Sequence, residues 1–405
     1  MTTHSSSTFD IAIAGAGPAG TSAAIRLALH GAQGLLLEEK KFPRAKLCGE
    51  FISPECLGHF QQLGVIDQMI AAGATSLGET VFYSARGHQV AVPSEWFTSG
   101  ATALGLSRSE MDQRLLERAK AVGVVVLENA HATGPLLEDD SVCGVHVKTS
   151  AGTNDYRARI TIDATGRSRT LARHFDRDHH SRSSKLRRGL VAFKAHLENA
   201  RVAPGACEIY FYVGGYGGLS EIEHGLSNLC FIVSASEVRR RGSDPDRVLQ
   251  EVVMQNSRAA ETLCEARLRS PWLSVSLEGF GRKTLAPANG LLTIGDAASF
   301  IDPFTGSGIM MALESGEVVA ETIVSRPGIL RDAQTIALIG KEYERQYTSR
   351  FESRLRVSGL LRRAAFVPYL AETAILLFGA STRLRRKLAR ATRHANQQKA
   401  RASLS

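Results

Sequence analysis

Residues 10–20 of the chain read DIAIAGAGPAG and decide the fold of its N-terminal part. An apolar strand comes first, and a turn with three glycines then opens a helix of small residues, predicted over 19–30. Gly15 permits the tight turn, Gly17 lets the backbone approach a pyrophosphate at the helix N-terminus, and Gly20 lets the helix pack closely on the sheet. The pattern predicts a nucleotide-binding unit of strand, helix and strand.

A second apolar strand is predicted over 35–37, directly after this helix. Glu38 ends it roughly 20 residues after the glycines, at the position where a carboxylate binds the hydroxyls of a ribose. NAD and FAD place their ADP in the same way, so this unit does not distinguish the two cofactors.

A later motif favours FAD. Residues 291–296, LLTIGD, predict a short strand that ends in an acid, and residues 303–308, PFTGSG, precede a second helix. An aspartate at such a place accepts hydrogen bonds from a ribityl chain, and glycines at a helix start let backbone N–H groups reach a flavin ring. The positive end of that helix also stabilises an anionic reduced flavin.

Over residues 9–325 the chain resembles the flavoprotein family of aromatic-ring monooxygenases, geranylgeranyl reductases and flavin-dependent halogenases. Three fingerprints carry the resemblance: the glycines of 15–20, residues 163–168 (DATGRS), and residues 295–308. The resemblance implies an α/β fold, with a Rossmann-type FAD-binding domain of the glutathione-reductase-like and p-hydroxybenzoate-hydroxylase-like kind, interleaved with a mixed β-sheet substrate domain. It assigns 9–80, 101–175 and 280–325 to the FAD-binding domain, 81–100 and 176–279 to the substrate domain, and 326–405 to a helical basic C-terminal region.

The same resemblance implies a set of cofactor-binding residues drawn from these fingerprints, from the end of the second strand, and from three other segments. The set is Gly15, Gly17, Ala19, Gly20, Glu38, Arg44, Cys48, Gly49, Arg108, Ala130, Asp163, Gly295, Asp296, Pro303, Gly306, Ser307 and Gly308. For Arg108 a second interpretation stands beside this one. Ser107 caps the helix, Glu110 completes a capping box, and the arginine is a solvated residue of the first turn.

Residues 43–50, PRAKLCGE, resemble the geranylgeranyl reductase branch, in which a Lys-x-Cys-Gly turn lies by the flavin. That branch usually has a second glycine where Glu50 stands. Cys48 is the candidate catalytic residue, as a proton donor or redox group if Lys46 or Arg44 favours its thiolate. The alternative is that Cys48 is a small buried hydrophobe. The halogenase element Trp-x-Trp-x-Ile-Pro is absent from the sequence, which disfavours a halogenase.

Strands with period-two alternation are predicted over 190–197, 208–213 and 229–233, and a helix over 245–268. Tyr210 and Tyr212 share one face of their strand, opposite Ile209 and Phe211, so one pair faces the flavin while the other packs against helices. The alternative is simple sheet packing. With Tyr216, these tyrosines are the candidate substrate residues.

The formal net charge is +9, and basic residues concentrate in 182–188, 239–241 and 383–401. Without a recognition motif this charge does not predict a nucleic-acid partner. The apolar run over 364–380 is too short and polar for a transmembrane helix. With the basic tail it suits peripheral contact with an anionic membrane through 364–401, or else a helix pair that covers the substrate domain.

The first eight residues lack the apolar run of a signal peptide, and the six cysteines show neither metal-ligand spacing nor a disulfide framework. We therefore expect a cytoplasmic protein without a metal.

The leading hypothesis is an FAD-dependent monooxygenase of secondary metabolism. It would hydroxylate a small hydrophobic ring-containing metabolite, polyketide-, quinone- or lipid-like, with O2 and with NAD(P)H as a transient reductant. One alternative is a geranylgeranyl-reductase-like flavoenzyme that reduces or oxidises a lipidic C=C bond. The other is a non-catalytic flavin-binding redox subunit.

Overall fold

The computed structural model describes residues 8–98, 100–176, 189–325, 333–365, 370–383 and 385–386. The basic run 182–188 and most of 383–401 lie outside these residues, as does part of the apolar run 364–380. Within them, strands and helices form the mixed α/β fold that the sequence predicts.

The strands of the described residues fall into two large and two small sheets. They are β1 (Phe9–Ala14), β2 (Gly34–Leu37), β3 (Phe51–Ile52), β4 (Thr75–Leu77), β5 (Glu79–Tyr83), β6 (Gln89–Pro93), β7 (Ala103–Gly105), β8 (Val125–Leu127), β9 (His131–Glu138), β10 (Ser141–Thr149), β11 (Gly152–Asp163), β12 (Leu190–Glu198), β13 (Ala206–Tyr212), β14 (Gly215–Glu221), β15 (Ser227–Ser234), β16 (Arg267–Leu268), β17 (Leu273–Leu277), β18 (Gly281–Arg282), β19 (Leu291–Thr293) and β20 (Ser299–Phe300).

The α-helices connect these strands and cover their faces. They are α1 (Pro18–Leu29), α2 (Glu55–Leu63), α3 (Ile66–Ala71), α4 (Arg108–Ala121), α5 (Ala235–Arg240), α6 (Pro245–Glu251), α7 (Ser257–Leu263), α8 (Gly308–Val324), α9 (Ala333–Ala365) and α10 (Leu370–Ala380).

The first sheet has the order β8-β2-β1-β11-β10-β9, and β19 also pairs with β11. The strands β8, β2, β1, β11 and β19 pair in parallel, whereas β9 and β10 form an antiparallel extension on the first half of β11. The apolar residues Ile11–Ala14 of β1 are almost completely buried, as expected for a parallel strand with both faces covered. This sheet is the predicted Rossmann unit with β19 brought beside it.

Helix α1 begins at Pro18, one residue earlier than predicted, because proline suits the first turn of a helix. It crosses α8 at Gly316, where an added Cβ would lie 2.7 Å from the carbonyl oxygen of Ala19. The Ser22 hydroxyl donates to the carbonyl of Leu313 at 2.8 Å across the same crossing. The contact places the second nucleotide motif against the first.

The second sheet has the order β16-β12-β15-β14-β13-β5-β6, with β17 paired to β12. Helices α5 to α7 cover one face, where their apolar side chains form a core with Tyr210, Tyr212, Phe193 and Phe231. The other face carries Phe211 and Tyr216 and packs against the segment that contains Phe300 and Phe304. The sheet therefore has a helix-covered face and a face toward the second nucleotide motif.

The helix predicted over 245–268 is wrong as a single element, because the chain forms α6, a 3-10 turn, α7 and then β16 there. Asn256 interrupts it. Its side-chain amide donates to three buried carbonyls, those of Tyr83, Ser84 and Phe211, while its side-chain oxygen caps α7. These tertiary hydrogen bonds outweigh the local preference to continue the helix.

Helix α9 packs on α8, where Arg350 pairs with Glu314 at 3.2 Å, and its side chains Tyr343, Tyr347 and Phe351 are buried. Helix α10 lies against β6, with Ile375 buried in the core of the face opposite α5 to α7 and Glu372 bonded to His88 at 2.5 Å. Of these two helices, α10 lies against the second sheet, as one of the alternatives expects, whereas α9 lies against α8. Among the described helices, none has both the length and the apolar character needed to cross a bilayer.

Replacing Gly316 with alanine tests the α1–α8 crossing. We expect a loss of about 1–3 kcal/mol in unfolding free energy, because the new methyl group overpacks the contact. Gly359→Ala is the matched control, since no atom lies within 4 Å of its added Cβ and alanine favours a helix. Denaturant unfolding of both variants checks this, and equal stabilities would contradict it.

His59 makes stability depend on pH. Burial, together with the charges of Arg26 and Arg350, lowers its pKa from 6.5 to about 4. The unfolded chain therefore binds the proton first, and stability falls as the pH drops from 6.5 toward 4. Between pH 6.5 and 5 we expect a loss on the order of 1–2 kcal/mol from this group. His59→Gln should reduce the loss in denaturant titrations; an unchanged pH slope would contradict the assignment.

Candidate functional site

The first glycine turn leaves one opening at the N-terminus of α1. Cβ atoms at Gly15 and Gly20 would lie 2.4 Å from the carbonyl oxygen of Ala164 and 1.9 Å from that of Gly15, respectively, so the backbone itself fills those positions. At Gly17 no atom lies within 4 Å of an added Cβ, and no side chain caps the helix. The free N–H groups at this opening fit a pyrophosphate.

Glu38 lies at the end of β2, as predicted, and is buried. Its carboxylate accepts hydrogen bonds from the Ala16 N–H at 3.1 Å and the Lys40 N–H at 3.2 Å. Arg44 pairs with Glu38 at 3.2 Å and with Asp112 at 3.0 Å, so the guanidinium bridges two carboxylates. The Ala130 N–H donates to the Glu38 carbonyl at 2.9 Å, so Ala130 lies next to the end of β2.

For Arg108 the sequence offered two interpretations, a cofactor-binding residue and a solvated residue beside a capping box, and the structure agrees with the second only at the Ser107 cap. Ser107 caps the Glu110 N–H at 3.2 Å, but Glu110 pairs with Arg114, and the Ser107 N–H donates to Glu223. The Arg108 guanidinium is buried rather than solvated and bonds to Asp112 at 2.7 and 2.9 Å. Burial alone would lower its pKa, but Asp112 and the Cys48 thiol outweigh burial and raise it. Arg108 is therefore a fixed cation beside Cys48.

Asp163 differs from its predicted role as a cofactor ligand. One carboxylate oxygen accepts from the N–H and hydroxyl of Thr165, and the other accepts from the N–H groups of Leu171 and Ala172. The side chain is completely buried. Asp163 instead holds the loop after β11, whose Ala164 contacts the first glycine turn.

Asp296 follows β19 in a short turn where Gly295 has φ +59°. Burial raises the pKa of Asp296, although Arg167, Arg108 and Lys46 act in the opposite direction. Within the described part of the chain, no residue donates a hydrogen bond to this carboxylate. Hydroxyl groups of a ribityl chain would supply the missing donors.

The second glycine turn presents the N-terminus of α8. Pro303 begins a 3-10 turn that Asp302 caps, and Gly306 then takes the left-handed backbone at φ +60°. No side chain caps α8 at Ser307, and no atom lies within 4 Å of a Cβ added at Gly308. The open N–H groups of this long helix fit a flavin ring edge.

The turn around Cys48 lies between these parts and the second sheet. Asn228 of β15 donates from its amide to the Cys48 carbonyl at 3.2 Å, and the Glu50 N–H approaches the Cys48 sulfur at 3.4 Å. Burial, followed by the charges of Arg44 and Arg108, lowers the pKa of Lys46. No atom lies within 4 Å of a Cβ added at Gly49, so the turn has room for a cofactor there.

Sequence reasoning missed the polar groups that meet this turn. Lys194 and His196 of β12 both bond to the carboxylate of Glu50. Cys230 of β15 is half-buried near Cys48, and loss of solvent around its sulfur raises its pKa to about 12. The signal was present in β12, LVAFKAHLE, where a lysine and a histidine two residues apart occupy one face of an apolar strand.

An aromatic wall lines the face of the second sheet opposite α5 to α7. Phe304 contacts Phe82, Phe211 and Tyr216 at ring-centroid distances of 6.0, 5.7 and 5.3 Å. The Tyr216 hydroxyl donates to Asp302 at 2.6 Å, next to Pro303. Of the three candidate substrate tyrosines, Tyr216 belongs to this wall.

Tyr210 and Tyr212 lie on the helix-covered face instead, so their proposed role toward a substrate is corrected. The Tyr210 hydroxyl bonds to Glu208 at 2.6 Å, and the Tyr212 hydroxyl bonds to the Ile232 carbonyl at 3.0 Å. Both are buried. Their strand neighbour Phe211 points to the aromatic wall, as the alternation of side chains along a strand requires.

Comparisons of the sequence with known proteins identify its family. Residues 8–321 match the family model described as FAD binding domain. Digeranylgeranylglycerophospholipid reductase 2 of Methanopyrus kandleri is 26% identical, over 85% of this chain and 83% of that protein. Menaquinone reductase of Mycobacterium tuberculosis is 29% identical, over 80% of each. The predicted FAD is thereby confirmed.

Among solved structures, a geranylgeranyl bacteriochlorophyll reductase-like protein from Thermoplasma acidophilum has a TM-score of 0.76. It is 21% identical, and the match covers 94% of this chain and 95% of that one. This likeness supports the fold.

Alanine at Gly17 and at Gly20 should separate cofactor binding from folding. In Gly17→Ala the added methyl group meets no atom of the protein but projects into the open cofactor position. We therefore expect FAD binding to weaken at least about tenfold, while the melting temperature of the FAD-free protein is unchanged. Gly20→Ala should lower both. Fluorescence titration with FAD and thermal unfolding check this pair; unchanged FAD affinity in Gly17→Ala would contradict the assigned opening.

Proposed function

Because the chain belongs to the FAD binding domain family, we propose that this FAD-dependent oxidoreductase reduces a carbon–carbon double bond in a polyprenyl-lipid-like substrate. One observation carries the proposal. The turn over Lys46–Glu50 holds Cys48 beside the fixed cation Arg108 and against the second sheet. The face of the sheet that this turn meets also carries the aromatic wall. The Cys48 turn and an apolar face thus lie on the same side of the second sheet.

The curated relatives support the same chemistry. Two of them, each matched over about four-fifths of its own length, are named as reductases of digeranylgeranylglycerophospholipid and of menaquinone. Both names denote lipids, and an aromatic wall suits a long apolar chain because it buries that chain away from water. This agreement moves the reductase ahead of the monooxygenase that the sequence alone favours.

Each part of the site then has a task. FAD, when bound, supplies hydride chemistry. The N-termini of α1 and α8 would hold its charged and polar parts, and the Asp296 carboxylate would accept hydrogen bonds from its hydroxyl groups. The wall around Phe304 orients the substrate and excludes water, while the thiol of Cys48 holds a proton that a double bond requires.

Assaying the product distinguishes the two reactions. The protein is mixed with a reductant, NADPH or dithionite, and with a lipid in detergent, either a digeranylgeranyl phospholipid or menaquinone. The mass of the lipid product is then measured by mass spectrometry. A gain of two hydrogen atoms that remains after any quinol has been reoxidised in air supports reduction of a double bond. A gain of one oxygen atom, dependent on O2, would overturn it in favour of hydroxylation.

Cys48→Ala should lower the rate of double-bond reduction at least about tenfold while flavin reduction by dithionite is unchanged, because only the proton source is removed. Cys264→Ala is the matched control, since this thiol is exposed and distant from the turn. Equal rates in both variants would exclude a role for the Cys48 thiol.

A further inference from the structure

A buried charged cluster, formed by Glu50, Lys194 and His196, lies behind the Cys48 turn. The Glu50 carboxylate has no solvent exposure, the Lys194 side chain is 2% exposed, and the His196 side chain is 18% exposed. Lys194 bonds to one carboxylate oxygen and His196 Nε2 lies 2.7 Å from the other. His196 is therefore the end of the cluster that reaches solvent, here called the wet end, and Lys194 is the end that is shielded from solvent, here called the dry end.

The dry end meets the residues that border the flavin. Lys194 Nζ donates to the Lys46 carbonyl at 3.3 Å, and the Glu50 N–H approaches the Cys48 sulfur at 3.4 Å. Cys230 of β15 lies close enough for Lys194 and Glu50 to influence its pKa. From α4, the Arg108 N–H donates to Glu50 at 2.8 Å, while the Arg108 guanidinium is turned toward Asp112.

Glu50 occupies a backbone conformation that favours glycine, with φ +52°. A non-glycine residue there costs on the order of 1 kcal/mol, and such strain is concentrated at functional sites. Burial favours the neutral acid, but the hydrogen bond from His196 and the charge of Lys194 outweigh it and lower the pKa of Glu50. An ionised carboxylate is thus held between two groups that carry protons.

We propose that His196, Glu50 and Lys194 form a proton-transfer chain between solvent and the Cys48 side of the flavin cleft. Hydrogen-bonded titratable groups pass protons when each releases one proton before it takes the next. The Lys194 ammonium would therefore first donate toward the Cys48 turn and then be reprotonated from His196 through Glu50. At its buried end the chain contacts the Cys48 turn, because Lys194 bonds to the carbonyl of Lys46, two residues before Cys48.

The role of the chain in double-bond reduction rests on the proposed function. In that reaction one alkene carbon takes a hydride from reduced flavin, which becomes oxidised FAD, and the other carbon takes a proton that Cys48 gives and the chain replaces from water. With O2 as the acceptor, reduced anionic flavin, O2 and one proton give oxidised FAD and hydrogen peroxide. Both reactions consume one proton in the same cleft.

The first experiment removes the imidazole of His196, the wet end of the cluster. The reduced holoenzyme of His196→Ala is mixed with menaquinone in detergent, and flavin reoxidation is followed by stopped flow. We expect a rate at least about tenfold below wild type, recovered by added imidazole, because a small base can replace a partly exposed histidine. His146→Ala is the matched control: this exposed histidine also pairs with a carboxylate, Asp155, at 2.6 Å. Equal rates in the two variants would overturn the chain.

A lack of menaquinone reduction by the wild-type protein would count against the proposed function alone. The same variants are then compared with O2 as the acceptor, which tests the chain independently. A slower reoxidation that imidazole restores supports it, whereas a slowing that imidazole does not restore assigns His196 a structural role.

The second experiment uses infrared spectroscopy rather than activity. Difference spectra between oxidised and dithionite-reduced holoenzyme should contain a carboxylate band from Glu50 that is absent in Glu50→Gln. His196→Gln, which retains a hydrogen bond to Glu50, should keep the band but alter its frequency, and it serves if Glu50→Gln does not fold. Spectra without a Glu50 band would overturn the proposal.

Discussion

The close approach of backbone segments around α1 is the constraint on which the rest of the structure depends. The turn at Gly15, the loop at Ala164 and the middle of α8 all contact this helix within distances that exclude a side chain. A Cβ at Gly295 would likewise lie 2.9 Å from that of Ala19. Two nucleotide motifs far apart in the chain thereby become one site, with Asp296 beside the first turn and the N-terminus of α8 free of side-chain caps.

In this site the basic side chains outnumber the carboxylates that pair with them. Asp112 and Glu38 neutralise Arg44 and Arg108, whereas the remaining basic groups near Asp296 include Lys46 and Arg167. A diphosphate and an anionic reduced flavin both bring negative charge to such a surface, and partial burial strengthens the attraction. The same cations lessen, without cancelling, the cost of burying Asp296. The electrostatics of the cleft therefore suit the cofactor that the family binds.

Local patterns gave reliable predictions where the structure is local. The strand, glycine turn and helix of 10–30 form as predicted, and β19 ends at the second motif, because hydrophobic period and glycine placement decide both. The helix over 245–268 failed because Asn256 bonds to carbonyls in two distant strands. The roles of Asp163, Tyr210 and Tyr212 also depended on which face or loop their side chains meet. The pairing of His196 with Glu50 joins residues 146 positions apart, which no spacing rule indicates.

Glu50 shows how the two sheets of the protein are coupled at the cofactor. Glycine would relieve the strain at φ +52°, but it would leave Lys194 buried without a counter-charge, and an unpaired buried charge costs more than the strained backbone. The ion pair thus outweighs the local preference. Because Glu50 belongs to the Cys48 turn and Lys194 to β12, any shift of the turn away from the second sheet would break a buried ion pair. The ion pair thereby fixes the Cys48 turn against the second sheet, as the proposed delivery of a proton to one carbon of an apolar substrate requires.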